Sequence, residues 1–306
     1  MRGVYSIPVT PFEENGALDR DSLRRCVEFC IEAGAHGIVM PVNASEYWTL
    51  SDAERDEVVS IGVKAVAGAV PVVAGVTGNS AMHAVERAIA AQDAGADSVI
   101  AMPPVRSSGA AAMEDHFGAI SGAVSVPIWI QNNKPPAGPS VPTDLIVRML
   151  KDMPYVDYLK EESLLPGHVI TAVLEKAGAS CRGIMGGMGG RFLPDEYRRG
   201  ACGTMPAGHI TDAHVKLWDA LEAGGRDADG RQVVTEEARD IWRQMLPALN
   251  FEFMFSVTAY KMAFWKRGII STPATRSPAG VSFDKVDAAE LDAILDGLKP
   301  LLSWSK

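Results

Sequence analysis

Short apolar runs alternate with longer segments whose apolar positions return every three or four residues, and this rhythm persists to about residue 220. The first run covers 4–9 and ends in Thr10-Pro11. The segment 19–33 carries Leu23, Cys26, Val27, Cys30 and Ile31 on one helical face and stops at Gly34. A second run, 37–42, is followed by Ser51-Asp-Ala-Glu54, a spacing at which serine and glutamate cap each other's backbone at the start of a helix reaching 67. Strands are predicted over 71–76, 98–102, 127–131, 156–160, 181–185 and 203–207. Helices over 79–94, 110–124, 142–151, 168–176 and 194–199 separate them, and one over 211–223 closes the round.

Repeated strand-helix pairs with strands apolar along their whole length predict a parallel sheet covered by helices. No glycine-rich turn follows the first strand, which argues against an open dinucleotide-binding sheet. The expected fold is therefore α/β, a (β/α)8 TIM barrel over 1–224. After the polar break Gly224-Gly-Arg-Asp-Ala-Asp-Gly230, residues 225–306 read as a C-terminal helical region packed on the barrel exterior. Its helices are expected over 232–249, 251–267 and 288–302, with Phe251-Glu-Phe-Met-Phe255 as a buried face.

Composition narrows the function classes. A formal charge of -9 speaks against a nucleic-acid partner, which needs clustered Lys and Arg. Cys26, Cys30, Cys181 and Cys202 lack metal-ligand spacing and are expected to be reduced packing residues, so no metal is expected. No apolar stretch approaches the length of about 18 residues needed to span a bilayer, and no leader pattern opens the chain; the expectation is a cytoplasmic protein with no membrane partner.

In such barrels chemistry sits at the C-terminal ends of the strands. Among the chain's eleven lysines, Lys160 ends the sixth strand, behind Val156-Asp157-Tyr158-Leu159. An amine in that position is expected to face the mouth, where partial burial favours the neutral form that attacks a ketone. The competing reading is a structural ion pair with Glu161 or Glu162. Lys134, followed by Pro135-Pro136, is expected outside the mouth. The small residues Asn43-Ala44-Ser45 after strand two offer backbone N–H groups to a carboxylate. The Gly186–Gly190 loop either cradles a phosphate or leaves room for substrate; with Arg191 its only basic neighbour, the second reading is preferred. Tyr47 and Trp48 are expected to pack, to gate the site or to contact a neighbouring subunit, and His209 follows strand eight within possible reach of a ligand.

These residues resemble a family. Pro8-Val-Thr-Pro-Phe12, Glu46 with Leu50-Ser-Asp-Ala-Glu54, Val73-Ala-Gly-Val76, Ala94-Gly-Ala-Asp97, Met102-Pro-Pro104 and Lys160-Glu161 follow the order of the dihydrodipicolinate synthase and N-acetylneuraminate lyase superfamily. The resemblance implies a cofactor-free lyase in which Lys160 forms a Schiff base with a small-molecule 2-keto acid. It also implies a homo-oligomer, a tetramer or dimer. Departures refine it. Val42-Asn43-Ala44-Ser45-Glu46 stands where members usually have Gly-Thr-Thr-Gly-Glu or Gly-Ser-Thr-Gly-Glu, which moves the carboxylate contacts to Asn43 and Ala44. Gln131-Asn132 replaces the Tyr-Asn pair, and glutamine cannot relay a proton as a phenol does. The carboxylate-binding arginine shortly afterwards is missing. The pattern looks closest to members that dehydrate 2-keto-3-deoxy-L-arabinonate, with Gln131, Gly186 and Gly187 at the substrate and Glu162 as the acid/base. An aldolase or hydratase-aldolase releasing pyruvate, and a non-catalytic keto-acid-binding barrel, are the alternatives.

Overall fold

The computed structural model describes residues 1–106 and 109–303. Eight parallel strands close in chain order: β1 (Gly3–Ser6), β2 (Gly37–Met40), β3 (Val72–Gly75), β4 (Ser98–Ala101), β5 (Ile128–Asn132), β6 (Val156–Glu161), β7 (Gly183–Gly186) and β8 (Gly203–Thr204), with β8 pairing back onto β1. Around them run α1 (Arg20–Glu32), α2 (Asp52–Val66), α3 (Ala81–Asp93), α4 (Ala110–Ser121), α5 (Thr143–Asp152), α6 (Pro166–Ala177), α7 (Leu193–Arg198) and α8 (Thr211–Glu222). The expected TIM barrel is therefore the observed one. Predicted strands overshoot chiefly at the first and last, where the continuous strands end at Ser6 and Thr204 and an isolated parallel bridge joins Ile7 to Ala207 beyond them. The reciprocal cap of α2 is present: Glu54 N donates to Ser51 Oγ at 3.3 Å and Ser51 N to Glu54 Oε2 at 2.9 Å.

Three C-terminal helices follow: α9 (Glu236–Phe255), α10 (Val257–Lys266) and α11 (Lys285–Leu298). Leu249, Phe251, Leu291 and Leu298 join Leu217, Trp218 and Leu221 of α8 in one apolar core, which fixes α9 and α11 to the barrel wall. The expected break near residue 250 does not occur. Instead α9 runs through Pro247 to Phe255, and the turn falls at Ser256, which has φ 48°. Phe251-Glu-Phe-Met-Phe255 is accordingly not one buried face: Phe251 and Glu252 are buried, whereas Phe253 and Met254 are exposed. No helix among the described residues is long and apolar enough to cross a membrane.

The barrel interior is filled by Tyr5, Val39, Val73, Ile100, Trp129, Tyr158, Met185 and Met205. Trp129 and Tyr158 stack at 4.3 Å and form a floor beneath the mouth. Val156, two residues before Tyr158, packs instead in the outer layer with Ile128. Strict alternation would put residues 156, 158 and 160 on one face. A bulge between β5 and β6 breaks it: Ile128 aligns with Val156, but Trp129 aligns with Tyr158, leaving Asp157 unopposed. That extra residue reverses the parity and turns Tyr158 and Lys160 into the lumen.

Candidate active site

Lys160 aligns with Gln131 on β5 and Met185 on β7, one inward layer above the Trp129-Tyr158 floor. It is 3% exposed and lines a 390 Å³ cavity at the C-terminal mouth. Its Nζ lies 3.2 Å from Oε2 of Glu162, two residues on and on the same face. Of the two carboxylates offered by the sequence, only Glu162 meets it. Glu161 points outward, where it accepts from Asn132 Nδ2 at 2.8 Å and Ser163 N at 2.7 Å.

Glu162 is held firmly. Its Oε2 accepts from Gln131 Nε2 at 2.7 Å and Asn133 Nδ2 at 3.3 Å, and its Oε1 from Met188 N at 3.3 Å. The carboxylate therefore stays placed when the lysine beside it moves onto another group. Gln131 thus helps to orient this carboxylate. Asn133, which the sequence reading passed over, does the same; the inward period-two step from Gln131 was its signal.

Asn43 and Ala44 line the cavity, and the Asn43 amide donates to Ala137 O at 3.3 Å. Ser45 stands behind them, its hydroxyl donating to Pro8 O at 2.7 Å while its carbonyl accepts from Thr10 Oγ1 at 2.7 Å. Next in the chain, Glu46 adopts φ 55° and is fully buried against Lys261 of α10. Burial raises the Glu46 carboxyl above its ordinary range, against the pull of Lys261, and the same burial brings Lys261 down to about 8. Lys134 is not outside the mouth: it lines the cavity, with Nζ 5.6 Å above the Phe253 ring.

The glycine loop after β7 reaches the cavity at Gly189, and its glycines also make room for carboxyl groups. A Cβ on Gly186 would lie 1.8 Å from Glu196 Oε2, one on Gly187 2.3 Å from Glu162 Oε1, and one on Gly189 1.8 Å from Glu252 Oε1. Each missing side chain makes space for a carboxyl group arriving from another element. Glu196, fully buried on α7, has neither oxygen hydrogen-bonded, and burial pushes it well above the carboxylate range. Glu252 comes from the C-terminal helices and joins the cavity wall with Tyr260 of α10. Neither was singled out from the sequence; a lone acid inside the apolar run 251–255 was the available signal for Glu252. His209 does not line the cavity but backs Glu252, with Nε2 3.3 Å from its Oε2.

The profile of the dihydrodipicolinate synthetase family matches residues 1–179. Among curated relatives, the L-2-keto-3-deoxyarabonate dehydratase of Azospirillum brasilense is 28% identical over 310 residues, covering 99% of this chain and 97% of that protein. A 4-hydroxy-tetrahydrodipicolinate synthase of Methylobacterium radiotolerans is 41% identical over 136 residues, 44% of this chain and 45% of that one. The crystal structure of the dihydrodipicolinate synthase from Rhodopseudomonas palustris superposes with a TM-score of 0.87 at 26% identity, covering 97% of this chain and 98% of the other. A lysine at the end of the sixth strand of a closed barrel, with these matches, places the chain in a family of lyases: it belongs to the dihydrodipicolinate synthetase family.

Proposed function

We propose that the protein is a Schiff-base hydro-lyase that removes water from a 2-keto-3-deoxy sugar acid. The observation that carries this reading is the Lys160-Glu162 pair, an amine and a fixed carboxylate 3.2 Å apart in one cavity. Glu162 takes the ammonium proton, and the freed amine attacks the C2 ketone. The same proton leaves with the carbinolamine hydroxyl as water, giving an iminium. Conjugation to that cation acidifies C3–H, and Glu162, a carboxylate again, is placed to remove the proton. The C3=C4 double bond forms as the C4 hydroxyl departs. Asn43 and Ala44, across the cavity, would receive the substrate carboxylate. Similarity along nearly the whole chain to a keto-deoxy acid dehydratase supports dehydration over carbon-carbon cleavage.

Borohydride reduction in the presence of L-2-keto-3-deoxyarabonate is expected to fix the substrate's carbon skeleton to the peptide containing Lys160, with a dehydrated keto acid as the unreduced product. An unmodified protein at saturating substrate, or release of pyruvate and an aldehyde, would overturn the assignment.

Gly187→Ala supplies a second check. The new Cβ would meet Glu162 Cγ and Oε1, both at 2.3 Å, so the substitution acts on the carboxylate beside Lys160. Displacing the base by such a distance is expected to cost about 10²-fold in kcat. Thermal unfolding should change little. An unchanged kcat would show that Glu162 does not act on the substrate.

A further inference from the structure

Dehydration needs a proton donor for the leaving hydroxyl as well as a base, and a second carboxyl, Glu252, lines the cavity that holds Glu162. We propose that Glu252, carried into the barrel mouth by the C-terminal helices, is the acid that protonates the departing C4 hydroxyl. This inference rests on the dehydratase reading above.

Glu252 is 4% exposed, yet it forms part of the wall of the cavity that holds Lys160 and Glu162. Its Oε2 has no hydrogen bond. Its Oε1 occupies the space left at Gly189, which sits at φ 67°. The turn at Ser256 ends α9 one helical turn beyond Glu252 and sends α10 back, so that Tyr260 closes the same wall. The Tyr260 ring lies 5.2 Å from that of His209. A buried carboxyl whose Oε2, set against the His209 ring, lacks a hydrogen bond is costly unless something retains it.

Its surroundings fix the protonation state. The ionisable groups around it are His209 from the turn before α8, Arg191 from the loop after β7, Tyr260 from α10 and Glu162 on the cavity wall. Burial pushes Glu252 up to about 8, with Arg191 working in the opposite direction. Burial likewise brings His209 down to about 3, so the imidazole is neutral and the 3.3 Å contact joins a carboxylic acid to an imidazole nitrogen rather than two ions. At neutral pH Glu252 therefore holds a proton, while Glu162 lies against the Lys160 ammonium and three N–H donors. Two carboxyls in one cavity are set to opposite tasks. In the enamine formed after loss of C3–H, the nitrogen lone pair regenerates C=N⁺. The C2=C3 pair moves to C3=C4, and the C4–O bond breaks onto oxygen. That oxygen takes the Glu252 proton and leaves as water, and Glu252 recovers a proton from solvent.

The test compares Glu252→Gln with the unmodified enzyme on L-2-keto-3-deoxyarabonate. Turnover is expected to fall about 10²- to 10⁴-fold. Borohydride trapping at Lys160 and exchange of C3–H in deuterated water should persist, because both precede departure of the hydroxyl. Near-normal turnover by the variant, or exchange lost in step with turnover, would overturn the role of Glu252. Absence of trapping and exchange in the unmodified enzyme would instead overturn the dehydratase reading. Should the amide fail to fold, the pH dependence of the unmodified enzyme decides: kcat should decline on the alkaline side with an apparent pKa near 8, and a profile flat well beyond that value would refute the proposal.

Discussion

Replacing Lys160 by alanine is expected to bring keto-acid turnover to background in a protein that remains folded. The two parts of that expectation have separate causes. Activity vanishes because no other amine can take over: the cavity's second lysine, Lys134, sits on the loop after β5 with its Nζ against Phe253. The fold survives because Glu162 is not orphaned by the loss. Gln131, Asn133 and the Met188 amide still donate to it, so the penalty for an unpaired buried carboxylate is largely avoided. Lys160→Arg should be equally inactive, since a guanidinium keeps its charge and forms no imine. Steady-state assays with L-2-keto-3-deoxyarabonate and a thermal melt check both halves. Turnover retained by the alanine variant would remove the foundation of the mechanism.

Lys261→Ala is expected to cost far more stability than its distance from the chemistry suggests. Lys261 and Glu46 are both fully buried and in direct contact, and the ammonium also donates to Ala274 O at 2.7 Å and lies 4.1 Å from the Phe12 ring. Removing one member of such a pair leaves an uncompensated buried charge, a loss of about 3–5 kcal/mol. Glu46 keeps only the Arg276 N–H at 3.2 Å on its other oxygen. Urea denaturation measures the cost. The double replacement of Lys261 by Met and Glu46 by Leu should recover most of it, because burying neither charge avoids both desolvation penalties. A loss below about 1 kcal/mol for the single variant would place the pair among weakly coupled ions. A kinetic effect is also expected: Glu46 directly follows the 43–45 turn, whose Asn43 and Ala44 wall the cavity, so KM for the keto acid should rise with kcat less affected.

The barrel was legible because its signal is periodic and repeated. Apolar strands buried on both faces and helices with one apolar stripe leave few architectures. The lysine was legible by position, at the end of an apolar run where a charge needs a purpose. Its orientation was not, since the inward face depends on the bulge at Asp157, which alternation alone would have assigned the other way. Glu162 then followed by parity, and its partners Gln131 and Asn133 by the same parity on the neighbouring strand. The C-terminal contribution escaped for a different reason. A break placed near residue 250 separates Glu252 from the helix that presents it, whereas the actual turn at Ser256 is a backbone choice with no proline or glycine to mark it. The glycines after β7 were noticed, but the groups they accommodate lie up to 63 positions away in the chain, and only the folded arrangement brings them together.

The vacancy at Gly189 has an implication for which element supplies an acid here. One carboxyl group's worth of space is bordered by two chain positions, 189 and 252, and Glu252 fills it from the helical side. A side chain grafted at 189 would meet that carboxyl and would also have to adopt φ 67°, which L residues rarely do. An acid at that point of the mouth is therefore supplied from the terminal helix, and the glycine's backbone shape keeps the place open for it.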